Sequence, residues 1–230
     1  MNKRIRITGE SSLSVKVDQI EFNISLQAIN ELYDEAYKLA QQQLEQLQLD
    51  LNKIGFEKED IKTVSFKVDK RYESYRDEKN NYVSKMVGYQ VDHKLILKCD
   101  YDNERLSLII KTLSNCVAHA DFNIRFTVKD TAKVKRELLE KITIDATNKA
   151  KILAKANNVK LGSLVDINYS YSTVKFYSNT TYGCSNDLLE ESDCLEARAM
   201  DITAQDISVN DSASFEWEFE WWRSIFKIKR

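Results

Sequence analysis

Proline is absent from all 230 residues, and the five glycines are scattered singly. Without proline the chain has no cis-prolyl turn and no proline-set kink. Isolated glycines cannot cradle phosphate, so neither a GxGxxG fingerprint nor a Walker loop can be written, and no GxSxG elbow occurs. Histidine is nearly missing too, with His93 and His119 alone, whereas metal sites and proton relays draw heavily on imidazole. The four cysteines, Cys99, Cys116, Cys184 and Cys194, form no CxxC pair. No uncharged apolar run approaches the length that spans a bilayer. Lys plus Arg number 34 against 36 Asp plus Glu, a net charge of -2. That balance gives no general attraction to nucleic acid.

The remaining chemical candidates fail individually. His93 sits in the apolar register of its strand, which reads as a core or edge histidine. His119 follows Cys116 in Cys116-Val117-Ala118-His119, half of a metal site or nucleophile pair with no second half at a matching spacing. The acidic groups Glu57-Lys58-Glu59-Asp60 and Glu190-Glu191-Ser192-Asp193 lack the alternating oxygen ligands and turn glycine of a calcium loop. The residues therefore predict no catalytic, cofactor-binding or metal site. Cys99 and Cys116 read as buried thiols, while Cys184 and Cys194 share a polar loop where a disulfide is the alternative to two free thiols.

What is present is an ordinary folding composition. A hydrophobic fraction of 43% with a mean hydropathy of -0.48 supports a packed core rather than disorder. Ile5 and Ile7 alternate with polar residues before Gly9-Glu10-Ser11-Ser12 and then Leu13, Val15 and Val17, the signature of a hairpin. Phe22, Ile24, Leu26 and Ala28 mark a half-buried strand. From Leu32 to Ile54 the apolar spacing changes to three and four, an amphipathic helix closed by Gly55. Strands follow at Val64–Val68 and Tyr89–Leu97, with a charged, Tyr-rich hairpin loop, Tyr72 to Val83, protruding between them. A second helix around Leu106–Leu113 and a strand at Phe122–Val128 come next. A longer helix runs from about Ala132 to Asn157, then a strand from Leu164 to Tyr169. Residues 170–200 read as a loop excursion, and Ile207 opens a last strand through Phe215, Trp217, Phe219 and Trp221.

The middle of this order is strand–helix–strand–strand–helix–strand, a split βαβ unit. The expected fold class is α+β: a largely antiparallel sheet with helices on one face, plus a long third helix and C-terminal strands. Lacking a Pro/Gly-rich linker, residues 1–221 are expected to form one domain, with 222–230 a basic and aromatic tail. Two surfaces suit interaction, since Tyr, Trp and Arg are favoured at interfaces. One is the hairpin loop with Arg71, Tyr75 and Arg76. The other is Trp221-Trp222, whose adjacent side chains leave a strand on opposite faces.

Several motifs, in order, resemble the SIMPL-domain family. Ile5-Arg6-Ile7-Thr8-Gly9 is similar to its opening Ile-x-Val-x-Gly. Val15-Lys16-Val17-Asp18 is similar to its Val-x-Pro-Asp, with Val17 in place of proline. Gly55 through Asp60 to Thr63 resembles Gly-Ile-x-x-x-Asp-Ile-x-Thr, and Gly88-Tyr89 resembles its Gly-Tyr segment. The long helix with Ala146, Lys149, Ala150 and Ala154, followed by Leu161-Gly162, resembles its Ala-rich third helix. The resemblance covers the chain to about Trp221. It implies a bacterial domain of unknown function without established enzymatic activity, some of whose members form large homo-oligomeric rings. Many members are exported and linked to envelope or oxidative stress, and a mammalian namesake is a kinase-associated signalling adaptor.

The expectation is a non-enzymatic, self-assembling SIMPL-like protein with a stress-related or scaffolding role, needing no cofactor and binding no nucleic acid. Met1–Arg4 runs into Ile5–Thr8 with no apolar export signal, so the expected compartment is the cytoplasm, with the envelope the alternative that exported members imply. Two other readings stay open: a small-molecule-binding protein or hydrolase using a cleft near His93 and His119, and peripheral membrane contact through Trp221, Trp222 and the basic tail.

Overall fold

The computed structural model describes residues 3–76, 80–169, 174–184 and 202–220. Among these the chain order is β1 (Arg4–Val15), β2 (Gln19–Asn30), α1 (Tyr33–Asn52), β3 (Ile61–Arg76), β4 (Tyr82–Asp100) and α2 (Asn103–Ser114). It continues with β5 (Asp121–Thr127), α3 (Thr131–Ala156), β6 (Lys160–Asn168), β7 (Tyr177–Cys184) and β8 (Ile207–Glu220). The strands make two antiparallel sheets, β1-β8-β6 and β3-β4-β2-β5-β7. This is the expected α+β class.

The described residues fall into two compact units. One is drawn from Met1–Lys16, Val128–Phe176 and Asp206–Arg230, the other from Val17–Thr127 and Tyr177–Gln205. The chain passes between them at ordinary residues such as Lys16/Val17 and Thr127/Val128, with no linker composition to mark the passage.

The larger unit carries the split βαβ order β2-α1-β3-β4-α2-β5, with the strands arranged β3-β4-β2-β5 and β7 added at one edge. Strand alternation sends Ile20, Phe22, Ile24 and Leu26 of β2 to the helix side, where they meet Leu95 and Leu97 of β4, Ile124 and Phe126 of β5, Leu47 and Leu51 of α1, and Leu106 and Ile109 of α2. Each of these side chains contributes about 1.5–3 kcal/mol by leaving water. Toward the start of α1 the packing passes to a separate small cluster of Ala28, Ala36, Ala40 and Val91. Gly55, at φ 90°, ends α1, and Phe56 N–H donates back to the Leu51 carbonyl at 3.2 Å.

In the smaller unit α3 covers one face of β1-β8-β6. Its buried stripe is Val134, Leu138, Ile142, Ala146, Ala150 and Ala154. A step of four drifts about 40° around the helix each time, so the stripe winds with the twisted strands beneath it. Asp130 caps the helix, its Oδ1 accepting from Lys133 N–H at 2.7 Å. Phe215 and Trp217 of β8 are buried on the α3 side, their rings stacked at 5.7 Å.

Four expectations change. Gly9–Ser12 is not a turn: β1 pairs with β8 from Arg4↔Glu218 to Val15↔Ile207 without a break. Gly9 is required for a different reason, because a Cβ there runs into the Ile142 carbonyl oxygen and lies 2.8 Å from Ala146 Cβ. Tyr72–Val83 is not a loop but mostly ladder, paired from Tyr72↔Met86 to Arg76↔Tyr82. Residues 170–200 contain the strand β7. Its inward Ser178 and Thr180 are tied to Gln205, Ser178 Oγ donating to the carbonyl at 2.6 Å and Thr180 Oγ1 accepting the N–H at 3.0 Å. Two hydroxyl residues ahead of Tyr182 on that face leave little hydrophobic alternation to read. Finally, β6 begins at Lys160 rather than Leu164, its pairing shifted between Leu161 and Leu164 and again between Leu164 and Asp166.

Candidate interaction surface

The two histidines are not brought together. His93 is buried in β4 with its Nε2 2.9 Å from Thr63 Oγ1 and the Phe66 ring edge-on at 5.1 Å. Burial lowers its pKa, so the neutral ring is favoured. His119 is exposed beyond α2, held at φ 47° by a tight turn in which its N–H donates to the Cys116 carbonyl at 3.0 Å. Strand β2 separates the two: Leu26 faces His93, while Ser25 faces Asp121 at the start of β5. Cys116 and Cys99 are free and buried, and burial pushes both thiols up to about 11. At neutral pH this favours the thiol over the thiolate in both. Among the described residues no three His, Cys, Asp or Glu side chains converge as metal ligands, and no helix is long and apolar enough to cross a membrane.

The family-motif residues lie at turns, strand ends and pairing irregularities of the fold. Asp18 ties two strand ends together, donating its N–H to Thr127 at 3.2 Å and accepting from Tyr101 N–H at 3.1 Å. Asp60 Oδ2 accepts from Glu57 N–H at 2.9 Å, fixing the short turn that leads α1 into β3. Beside that turn the Arg105 guanidinium lies over the Phe56 ring at 4.6 Å. Gly88, φ 152°, sits where β4 carries an extra residue against Arg71/Tyr72, and a Cβ there lies 2.5 Å from the Asn30 carbonyl oxygen. Tyr89 meets Tyr33 edge-on at 5.5 Å. Gly162 lies at the first β6 irregularity.

β3 and β4 are long because they continue past the rest of their sheet. β2 reaches only to Tyr89, so Tyr72–Arg76 and Tyr82–Met86 project as a two-stranded arm, roughly 15 Å at about 3.4 Å per residue. Alternation puts Tyr72, Arg76, Tyr82 and Met86 on one face of the arm, and Tyr75, opposite Val83, on the other. Arg76 ties the end of β3 to the start of β4, donating to Asn80 Oδ1 at 3.0 Å and Tyr82 Oη at 2.9 Å, with its guanidinium 4.8 Å from the Tyr82 ring centre. Tyr72 and Tyr82 nevertheless remain 56% and 75% exposed.

The same face continues along β3 and β4 onto the sheet. Phe66 and Val68 of β3 and Tyr89 of β4 share it, and α1 adds Tyr37, edge-on to Phe66 at 6.0 Å, and Tyr33. Leu32, at the α1 N-cap where a polar side chain is usual, makes no side-chain cap and is 65% exposed. An exposed aromatic stripe therefore runs from the start of α1 along β3 and out on the arm. Contiguous exposed aromatic surface of this kind marks interaction sites. The sequence singled out Tyr75 and Arg76; the partners of the stripe on α1 meet β3 only through the fold. Trp221, Trp222, the tail, Glu190–Asp193 and the proposed Cys184–Cys194 bond lie outside the described residues and side chains.

β3 is also a sheet edge. The edge strand β1, by contrast, is obstructed: Asp145 of α3 accepts the Glu10 N–H at 2.9 Å, and Lys149 donates to the Thr8 carbonyl at 3.3 Å and pairs with Asp145 at 2.7 Å. That pair holds the Asp145 carboxyl below its ordinary range. Two pairing irregularities interrupt β6, the other edge of that sheet, a common way of blunting an edge. β3 runs for 16 residues, with an extra residue at Val64 on the edge strand, itself 63% exposed.

A family model described as SIMPL, protein of unknown function (DUF541), matches residues 5–217. The chain belongs to the SIMPL family. No curated protein matches it.

Proposed function

We propose that this SIMPL protein acts without catalysis, by pairing with a second copy of itself along β3 and presenting the aromatic stripe and arm as an assembly surface. The long β3 edge, flanked by exposed Phe66, Tyr72 and Tyr82, carries the reading. Its outer backbone groups form a template for another strand. The exposed rings supply the apolar area that a backbone ladder alone lacks.

The sequence of β3 suits antiparallel pairing with itself. Centred on Val68, a two-fold pair sets Lys67 opposite Asp69 of the second copy, and Phe66 opposite Lys70. Opposite charges directly across a ladder are favourable. The family resemblance supports a scaffolding or stress-related setting for such an assembly.

Light scattering combined with amide hydrogen exchange tests the reading. The expected result is a concentration-dependent oligomer in which the β3 amides become protected on association. A strict monomer at high protein concentration, or an oligomer with β3 amides still exchanging freely, overturns it.

A further inference from the structure

The face of the five-stranded sheet turned away from α1 and α2 holds a groove of about 330 Å³, lined by Asn23, Ser25, Val64, Lys94, Asn123 and Arg125 over the backbone of Ile24 and Leu95. We infer that this groove binds the oxyanion group of a small molecule, a carboxylate or a phosphate.

The register converges these groups from three neighbouring strands. Asn23 and Asn123 face one another across β2 and β5, Ser25 faces Lys94 across β2 and β4, and Arg125 is two pairs further along β5, opposite Glu21. Two amides, a hydroxyl, an ammonium and a guanidinium offer hydrogen-bond donors on one side of the sheet. An oxyanion accepts from all of them, most strongly from the charged pair. The volume is at the small end of ligand sites.

The acids of this face are distributed so that the groove keeps positive charge. Glu21 is buried and held by Lys98 at 3.1 Å and by the Asn23 amide at 3.3 Å. Asp92 accepts from Gln27 at 3.2 Å and Gln90 at 3.0 Å. Asp121 stands opposite Ser25 at the first position of β5. Arg125 is steadied from the β7 side by the Tyr177 ring, 5.3 Å from its guanidinium carbon. The Lys94 ammonium has no side-chain hydrogen bond or ion pair among the described residues.

The groove is an odd investment for a solvated sheet face. Extending one apolar residue, Val64, over it through the extra residue in β3 gives it a wall. A ligand with an anionic head and a short apolar body matches that layout. The assignment is independent of the assembly reading, because the groove lies within one copy.

The test is an NMR titration of ¹⁵N-labelled protein with inorganic phosphate and, separately, with acetate, at constant ionic strength held by chloride. Saturable shifts of the Asn23 and Asn123 side-chain amides are expected. Lys94→Gln and Arg125→Gln should each weaken the binding roughly fivefold, one partly exposed charge-assisted hydrogen bond, while Lys111→Gln on α2 leaves it unchanged. The tighter probe then identifies the head group. Shifts that merely follow chloride, or that survive both substitutions, overturn the inference.

Discussion

Single residues in this chain are constrained more by their neighbours than by local preference. Gly9 lies in the middle of a regular strand, where glycine ordinarily weakens a sheet, yet its missing side chain admits the backbone of α3 at Ile142 and Ala146. Gly9→Ala must push helix and strand apart, and the obstacle is backbone rather than a side chain able to swing away. A loss of about 1–3 kcal/mol is expected, read as a lower urea midpoint with an unchanged slope. His93 gives a second test. Its folded pKa lies below the unfolded value because burial disfavours the cation, so the unfolded chain binds the extra proton as pH falls. Stability should therefore be full above the ordinary histidine range and decline as pH drops through about 6.5, by at most about 1.4 kcal/mol per pH unit. Urea midpoints between pH 7.5 and 5.5 should show that slope, and His93→Gln should flatten it; an unchanged slope in the variant would assign it to other groups.

Elements show which sequence signals survive into three dimensions. The α3 stripe and the β2 alternation were legible because each faces one apolar layer, and periodicity reports that directly. The α3 N-terminus follows the same logic: Asp130→Ala removes a 2.7 Å cap and should cost about 1 kcal/mol, measurable by thermal unfolding, with Asp130→Ser restoring most of it. Other features were hidden. β7 buries Ser178 and bonds Thr180 to the Gln205 backbone, so it lacks the apolar rhythm of a strand. Gly9-Glu10-Ser11-Ser12 has turn composition, but twelve consecutive pairs with β8 override it. The Gly88 and Asp60 motifs were legible as motifs, and only the fold reveals them as a bulge and a turn fixing β4 and β3. The groove was invisible in sequence, since its five polar groups come from alternate positions of separate strands that any solvated face would share.

At the scale of the whole molecule, the sheet edges differ in how open they are, and the proposed assembly uses β3, the longest of them. β1 is occupied by Asp145 and Lys149, and β6 is interrupted, whereas β3 is long and flanked by exposed rings. If two copies pair there with Val68 at the centre, each Lys67 faces an Asp69, and the dimer contains that contact twice. Asp69→Lys converts both to like charges. Opposite-charge pairs across a ladder are worth about 0.2–1 kcal/mol each, so losing the two raises the dissociation constant roughly two- to thirtyfold. The double variant Lys67→Asp/Asp69→Lys restores opposite charges in reversed order and should recover much of the affinity. Lys67 also stands opposite Asp92 within its own sheet, so the swapped chain loses some monomer stability, which thermal unfolding in dilute solution measures separately. Sedimentation equilibrium on the three proteins distinguishes the possibilities. Weakening by Asp69→Lys with recovery in the double variant places the two-fold axis at Val68, while equal association of all three moves that axis away from Val68.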